Sequence, residues 1–278
     1  MVVVNLTGQL GNQMFQYAVG RKNQLLGRIV KYDLSNYKVY PNYWGLYHFN
    51  LDVPVATVED VLKLKDERRT YPDRIRRKLF GRNPHVVSEI GRSRYDYEPS
   101  VFQYKNVFID GYWQSGRYFI DIEDTIRRDF RFPLSDNPRN LELTEQMQKE
   151  MSVSIHVRRG DYLGGFPVMD MQYYNPAVDY FRTKYRLVHF YVFSNDMDWC
   201  RNNLKGDDIS YVDWNIGKES IFDMYLMTQC KHNIIANSSF SWWGAWLNQY
   251  DGREVIAPKL WFYHTQTPDI YCKDWLII

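Results

Sequence analysis

Within the heptapeptide His156-Val-Arg-Arg-Gly-Asp-Tyr162, two adjacent arginines, a histidine and an aspartate follow an apolar run, Val153-Ser-Ile155. Placing that much charge beside a core is costly unless it has something to hold. Arginine offers a planar fork of donors that matches phosphate oxygens and stays charged at any working pH. The pattern therefore reads as an anion-binding turn after a strand. A bland alternative is a charged turn in which Asp161 simply pairs one arginine.

A second segment asks for the same ligand. Asn233-Ile-Ile-Ala236 reads as a buried strand, and Asn237-Ser-Ser-Phe240 as the turn after it. Apolar residues at Trp242, Trp243, Trp246 and Leu247 then repeat at helical spacing. Ser238 and Ser239 fall where that helix begins. A helix start supplies hydroxyls, free backbone N–H groups and the positive end of the macrodipole, which together bind phosphate. One serine serving only as a cap, with the tryptophans as core, is compatible with this role. Asp223 lies in the amphipathic stretch Glu219–Cys230 among apolar neighbours. A carboxylate facing a pocket there can accept from the N1–H and exocyclic amine of guanine.

The elements that must position these residues alternate between strand and helix. Strands are expected at 2–6, 29–30, 107–109, 153–157, 189–193, 209–212, 233–236 and 254–257, with helices after Gly11 and over 117–130. Such alternation implies parallel sheets, whose ligands sit beyond the carboxyl ends of the strands. Both motifs lie at such ends. A chain of 278 residues suits two domains. The boundary is expected near polar Ser135–Pro138 or shortly after, giving an N-terminal half over 1–150 and a C-terminal half over 151–278.

A net charge of +2 argues against nucleic acid as the main partner. Three scattered cysteines (Cys200, Cys230 and Cys272) suggest neither a disulfide framework nor a zinc site, and fit a reducing cytoplasm. No stretch approaches the roughly 18 apolar residues of a membrane span, and the start, Met1-Val-Val-Val-Asn-Leu, does not resemble a signal peptide. Aromatic residues at 17% hint mildly at sugar stacking, although cores use them too. Charge clusters between Lys63 and Arg94, where eleven Lys and Arg face four Asp and Glu. Such a run is most often a solvated face. The other reading is a dock for an anionic membrane or a lipid-diphosphate carrier, which would make the protein peripheral on the inner membrane face.

Together, Gly8-Gln-Leu-Gly-Asn-Gln-Met-Phe-Gln-Tyr-Ala18, the central heptapeptide and Asn237-Ser-Ser-Phe-Ser-Trp-Trp-Gly-Ala-Trp-Leu247 resemble glycosyltransferase family 11, the α-1,2-fucosyltransferases. The resemblance implies a GT-B-type α/β fold, two Rossmann-like domains facing a central cleft, with donor GDP-fucose held mainly by the C-terminal half. It implies Arg158 on the donor β-phosphate, His156 and Asp223 near the guanosine, and Asn237, Ser238, Ser239 and Phe240 around the phosphates. Gly11 and Asn12 are expected near the transferred sugar. The acceptor it implies is a terminal β-galactoside, and no metal is expected. Gln9 stands where many relatives carry a second glycine, so a small change in that turn is expected. An acceptor base is open between Asp161 and Asp196 by residue type. A rival reading takes Asp196-Met-Asp198 as the metal-holding D-x-D of another transferase class, against an N-cap at the next helix. Transfer from GDP-mannose or a UDP-hexose, and a non-catalytic glycan-binding module, are the other functions weighed.

Overall fold

Three β-branched residues in a row make Val2–Asn5 the first strand, β1. In the computed structural model, which describes residues 1–278, β1 pairs in parallel with β2 (Val30–Asp33) and β4 (Val107–Asp110). A short edge strand, β3 (Val86–Ser88), completes the order β2-β1-β4-β3. The helices of this half are α1 (Leu10–Leu25), α2 (Ser35–Val39), α3 (Val58–Leu64), α4 (Tyr71–Phe80) and α5 (Glu123–Asp129). Helix α1 buries Met14, Phe15, Ala18 and Val19.

The turn into α1 needs one glycine. Gly8 has φ +76°, which a side chain rarely adopts, and a Cβ there would collide with the Asn12 amide. Gln9 caps the helix in an extended conformation, φ −89° and ψ 177°, open to any residue. The second glycine of the resemblance is therefore dispensable. Gly8→Ala is expected to cost about 1–2 kcal/mol of stability, from the strained φ plus the displaced amide, read as a lower thermal midpoint.

The second sheet has the order β10-β9-β8-β5-β6-β7, all parallel. Its strands are β5 (Ser152–Val157), β6 (His189–Ser194), β7 (Ile209–Val212), β8 (His232–Ile234), β9 (Val255–Ala257) and β10 (Leu276–Ile277). Every residue of β5 is buried, as a central strand covered on both faces requires. On one face Val153, Ile155 and Val157 pack with Tyr174, Ala177 and Phe181 of α7 (Met171–Lys184). On the other, Tyr191 and Phe193 of β6 pack with Leu143 and Met147 of α6 (Pro138–Lys149) and Leu226 and Met227 of α9 (Ile221–Gln229). The remaining helices are α8 (Met197–Asn203) and α10 (Ser239–Leu247).

The expected α/β architecture is thus present as two units, each wound on a parallel sheet. One is Met1–Arg131 with Pro268–Ile270, the other Phe132–Thr267 with Tyr271–Ile278. The division falls at 131/132, just before the polar stretch Ser135–Pro138 and ahead of residue 150, because α6 closes the core of the second sheet. The segment expected as one helix over 117–130 starts as two 3-10 turns, Gly116–Tyr118 and Ile120–Ile122, before α5. Phe119 sits between them with φ −141° and is fully buried, so core packing overrides helical periodicity there. No helix is long and apolar enough to cross a membrane.

Candidate functional site

In the second unit the carboxyl edge of the sheet gathers the heptapeptide and the start of α10. His156 is the penultimate residue of β5 with its ring buried, and its centroid lies 5.7 Å from that of Phe240. The Tyr174 hydroxyl donates to the His156 carbonyl at 3.1 Å, locking the strand end. Burial, helped by the charge of Arg158, holds the imidazole pKa down at about 3, so the ring is neutral at any working pH. Its Nδ1 is buried with no partner in the protein.

The two arginines diverge after the strand. Arg158 donates from Nη2 to Asp161 Oδ2 at 2.7 Å, and its guanidinium lies 5.5 Å from the Tyr162 ring centroid. Arg159 instead donates from Nε to Asp196 Oδ2 at 3.1 Å and packs 4.4 Å over Trp199, a structural brace against α8. Asn195 stitches this turn: its Oδ1 accepts from Arg159 N at 2.9 Å, and its Nδ2 donates to Asp161 Oδ1 at 3.1 Å.

Tyr162 joins the heptapeptide to the other motif. Its hydroxyl donates to the Asn237 carbonyl at 3.3 Å and hydrogen-bonds the Ser238 side chain. Ser238 is the N-cap of α10, where Ser239 and Phe240 form the first turn. Its hydroxyl makes no capping bond into the helix, and a helix start of this kind presents backbone N–H groups and positive dipole to an anion. Asn237 points inward, and its amide donates to the carbonyls of Pro167 (2.9 Å) and Trp261 (3.1 Å). Its side chain therefore ties two loops behind the turn, while Trp242, Trp243 and Trp246 are buried core rather than stacking platforms.

Asp223 lies in the first turn of α9 and is half-buried. Burial pushes its pKa up to about 7, opposed by a 2.9 Å hydrogen bond from Asn215 Nδ2 to its Oδ1. Asn215 is itself bound to Asn140, with Nδ2–Oδ1 distances of 2.9 and 3.1 Å in the two directions, and Trp214 Nε1 donates to Asn140 at 2.7 Å. The chain from α6 through Asn215 thus orients one oxygen of Asp223. Sequence reading missed it, since nothing local marks Asn140 or Asn215. Asn215→Ala is expected to remove the bond that orients Asp223; if that carboxylate meets the guanine that the sequence resemblance implies, KM for a GDP-sugar rises about tenfold or more with little change in kcat.

The D-x-D reading is not carried by the geometry of Asp196. Its Oδ1 accepts from Trp199 N at 3.2 Å, capping α8, and its Oδ2 holds Arg159, while Asp198 is exposed in the first turn.

In the first unit, Gly11 is buried in the first turn of α1, and Asn12 Oδ1 accepts from Gln114 Nε2 at 2.7 Å. Gln13 and Gln16 hold the same turn, Gln13 Nε2 donating to the Gly8 carbonyl at 2.9 Å and Gln16 Oε1 accepting from Thr7 N at 2.9 Å. Gln114 sits past the end of β4. Its position after a parallel strand was the signal that could have found it.

The family model described as Glycosyl transferase family 11 matches residues 89–278. An alpha-1,2-colitosyltransferase of Escherichia coli is 33% identical, over 94% of this chain and 92% of that protein. The O-antigen biosynthesis glycosyltransferase WbnK of Escherichia coli is 29% identical over 98% of each. Galactoside alpha-(1,2)-fucosyltransferase 2 of Sus scrofa is 28% identical over 89% of this chain and 69% of that one. Among solved structures, fucosyltransferase NodZ from Bradyrhizobium superposes with a TM-score of 0.44 at 16% identity, over 87% of this chain and 91% of that one.

Proposed function

The chain belongs to glycosyltransferase family 11, and from that premise we propose that it transfers L-fucose from GDP-β-L-fucose to the 2-hydroxyl of a terminal β-galactoside, with inversion and without a metal ion. The observation that carries this reading is the meeting of two distant motifs on one sheet edge: the Tyr162 hydroxyl bonds the Asn237 carbonyl while the Arg158 guanidinium lies against the Tyr162 ring. A fixed cation and the N-terminus of α10 at Ser238, Ser239 and Phe240 then address one diphosphate.

Going from a β-linked donor to an α-linked product requires a single in-line displacement. Negative charge develops on the departing GDP, and Arg158 with the helix start stabilises it by preorganised electrostatics. His156 and Asp223 take the guanosine side, where neutral imidazole and carboxylate suit a heterocycle better than a phosphate. For Gly11 and Asn12, a place near the transferred sugar rests on the family resemblance alone. Asp161, bound to Arg158 and Asn195, aims the guanidinium. An oxocarbenium-like path asks only weak help from a base. With Arg158 in the role a metal would otherwise fill, transfer is expected to persist undiminished in excess EDTA; complete loss restored by Mn²⁺ reverses the metal-free reading.

One alternative donor has specific support. The 33% identity to a colitosyltransferase favours GDP-colitose, a sugar that differs from fucose by the missing 3-hydroxyl. The deciding experiment incubates the protein with GDP-fucose, GDP-colitose, GDP-mannose and UDP-galactose against a panel of β-galactosides, and locates any new linkage by NMR. An α-1,2-fucosyl product supports the proposal. A higher kcat/KM with GDP-colitose moves the donor to the deoxysugar, and product from UDP-galactose alone rules out the guanine role of Asp223. No affinity for GDP in any form leaves the non-catalytic glycan module.

A further inference from the structure

Helix α4, Tyr71–Phe80, is amphipathic but buries none of its residues. Tyr71, Ile75 and Leu79 recur every fourth position and so form one stripe along the helix. That stripe faces solvent: Tyr71 is 76%, Ile75 41%, Leu79 68% and neighbouring Phe80 80% exposed. In an ordinary globular helix the apolar stripe is the face that packs on the core. Here the opposite side does the anchoring, and it does so ionically. Arg76 bonds the Asp66 carboxylate, and Arg77 donates from Nη1 to the Asp66 carbonyl at 3.3 Å. Asp66 Oδ2 also accepts from Asn83 N at 2.7 Å, pinning the chain just past the helix.

The charge of the outward face is as informative as its hydrophobicity. Arg74 and Lys78 are exposed and flank the stripe, and neither has a carboxylate partner. Two basic residues outside the helix are neutralised locally, Arg68 by Glu59 and Arg82 by Glu67 at 2.9 Å. The helix thus divides its cations: those on the inner side hold the protein together, those beside the apolar stripe are left for a partner. An apolar stripe bordered by lysine and arginine is the arrangement that lies in the interface of an anionic bilayer, rings and aliphatic chains among the acyl boundary and cations at the headgroups. We propose that α4 docks this protein on the surface of an anionic phospholipid membrane, with Tyr71, Ile75 and Leu79 inserted and Arg74 and Lys78 at the headgroup phosphates.

The test is co-sedimentation of the full chain with vesicles of phosphatidylethanolamine and phosphatidylglycerol, against vesicles of phosphatidylcholine alone. The expected result is binding to the anionic vesicles only, weakened by salt. Reversing the charges in the double variant R74E/K78E is expected to lower partition at least about 30-fold, taking roughly fivefold per cation near such a surface. I75S/L79S, which removes the apolar anchors, is expected to abolish binding. Because the four replaced side chains are exposed and none pairs with Asp66, both variants should stay folded, with melting temperatures close to the parent's. Equal binding to the two vesicle types, no binding to either, or undiminished binding by both variants overturns the proposal. A concentration-dependent dimer in sedimentation velocity that I75S/L79S abolishes also overturns it, assigning the stripe to a second copy. None of these readouts depends on which sugar is transferred.

Discussion

Arg158→Ala is expected to lower kcat by about two to three orders of magnitude, with a smaller rise in KM for the donor. The reason is that charge appears on the leaving diphosphate mainly as the bond breaks, so a fixed cation there contributes more to the transition state than to the bound substrate. Arg158→Lys should recover only part of the loss, since an ammonium lacks the planar fork that engages two oxygens at once. The guanidinium is held on one side by Asp161 at 2.7 Å and faced by the Tyr162 ring. Arg159 provides the internal control. Braced against Asp196 and Trp199, it should on replacement by alanine lower the melting temperature more than kcat. Steady-state kinetics beside thermal melts separate the two arginines, and a kcat within tenfold of the parent for Arg158→Ala removes the proposed mechanism.

Asp223 should make donor affinity depend on pH. Burial raises its pKa to about 7, and only the ionised carboxylate accepts from both guanine donors. Above pH 7 the carboxylate is charged and binding is strong. Below it, each unit of acidification protonates Asp223 and weakens GDP binding about tenfold until the neutral form dominates both free and bound states. Asp223→Asn abolishes that slope and costs about 10–100-fold in affinity at pH 8, since bonds to a charged group are each worth about 1.5–3 kcal/mol. Titration calorimetry with GDP from pH 5 to 8 checks both statements, and a flat profile for the parent protein contradicts the guanine role. Folding stability runs the other way for this residue. Its pKa is higher folded than unfolded, so its contribution is present at low pH and lost as pH rises to about 7. His156, held down at about 3, contributes stability at neutral pH that is lost as pH falls from about 6.5 toward 3. Both limbs should flatten in the corresponding Asn and Gln variants, measured by thermal denaturation from about pH 3 to 8.

What could be read without coordinates was whatever is local in the chain. A strand end followed by His156-Val-Arg-Arg and a serine-capped apolar helix at Ser238 are each contained within about a dozen residues. Their periodicity and caps are set by backbone sterics and hydrogen bonding inside that span. The same holds for β1, α1 and the parallel α/β class. Gln9 was legible as a departure, but its harmlessness was not, because only its extended φ and ψ show that the turn strains Gly8 alone. Phe119 interrupts a helix that periodicity draws as continuous, whereas the polar stretch before α6 does mark the approach to the second core, and only packing shows that α6 belongs to it. The bond from Asn215 to Asp223, the bracing of Asn215 by Asn140 75 positions away, and the pairing of Asn12 with Gln114 across 102 positions depend on how strands are ordered in each sheet. Spacing in the sequence carries no trace of that order. Nor does it say which side of an amphipathic helix is covered: the pattern at Tyr71, Ile75 and Leu79 promises a buried stripe, and only the ion pairs drawing Arg76 and Arg77 to Asp66 turn that stripe outward. Local residue chemistry thus specifies the elements and their reactive groups, while long-range packing chooses their partners and exposed faces, because that choice minimises the free energy of the whole chain rather than of any one segment.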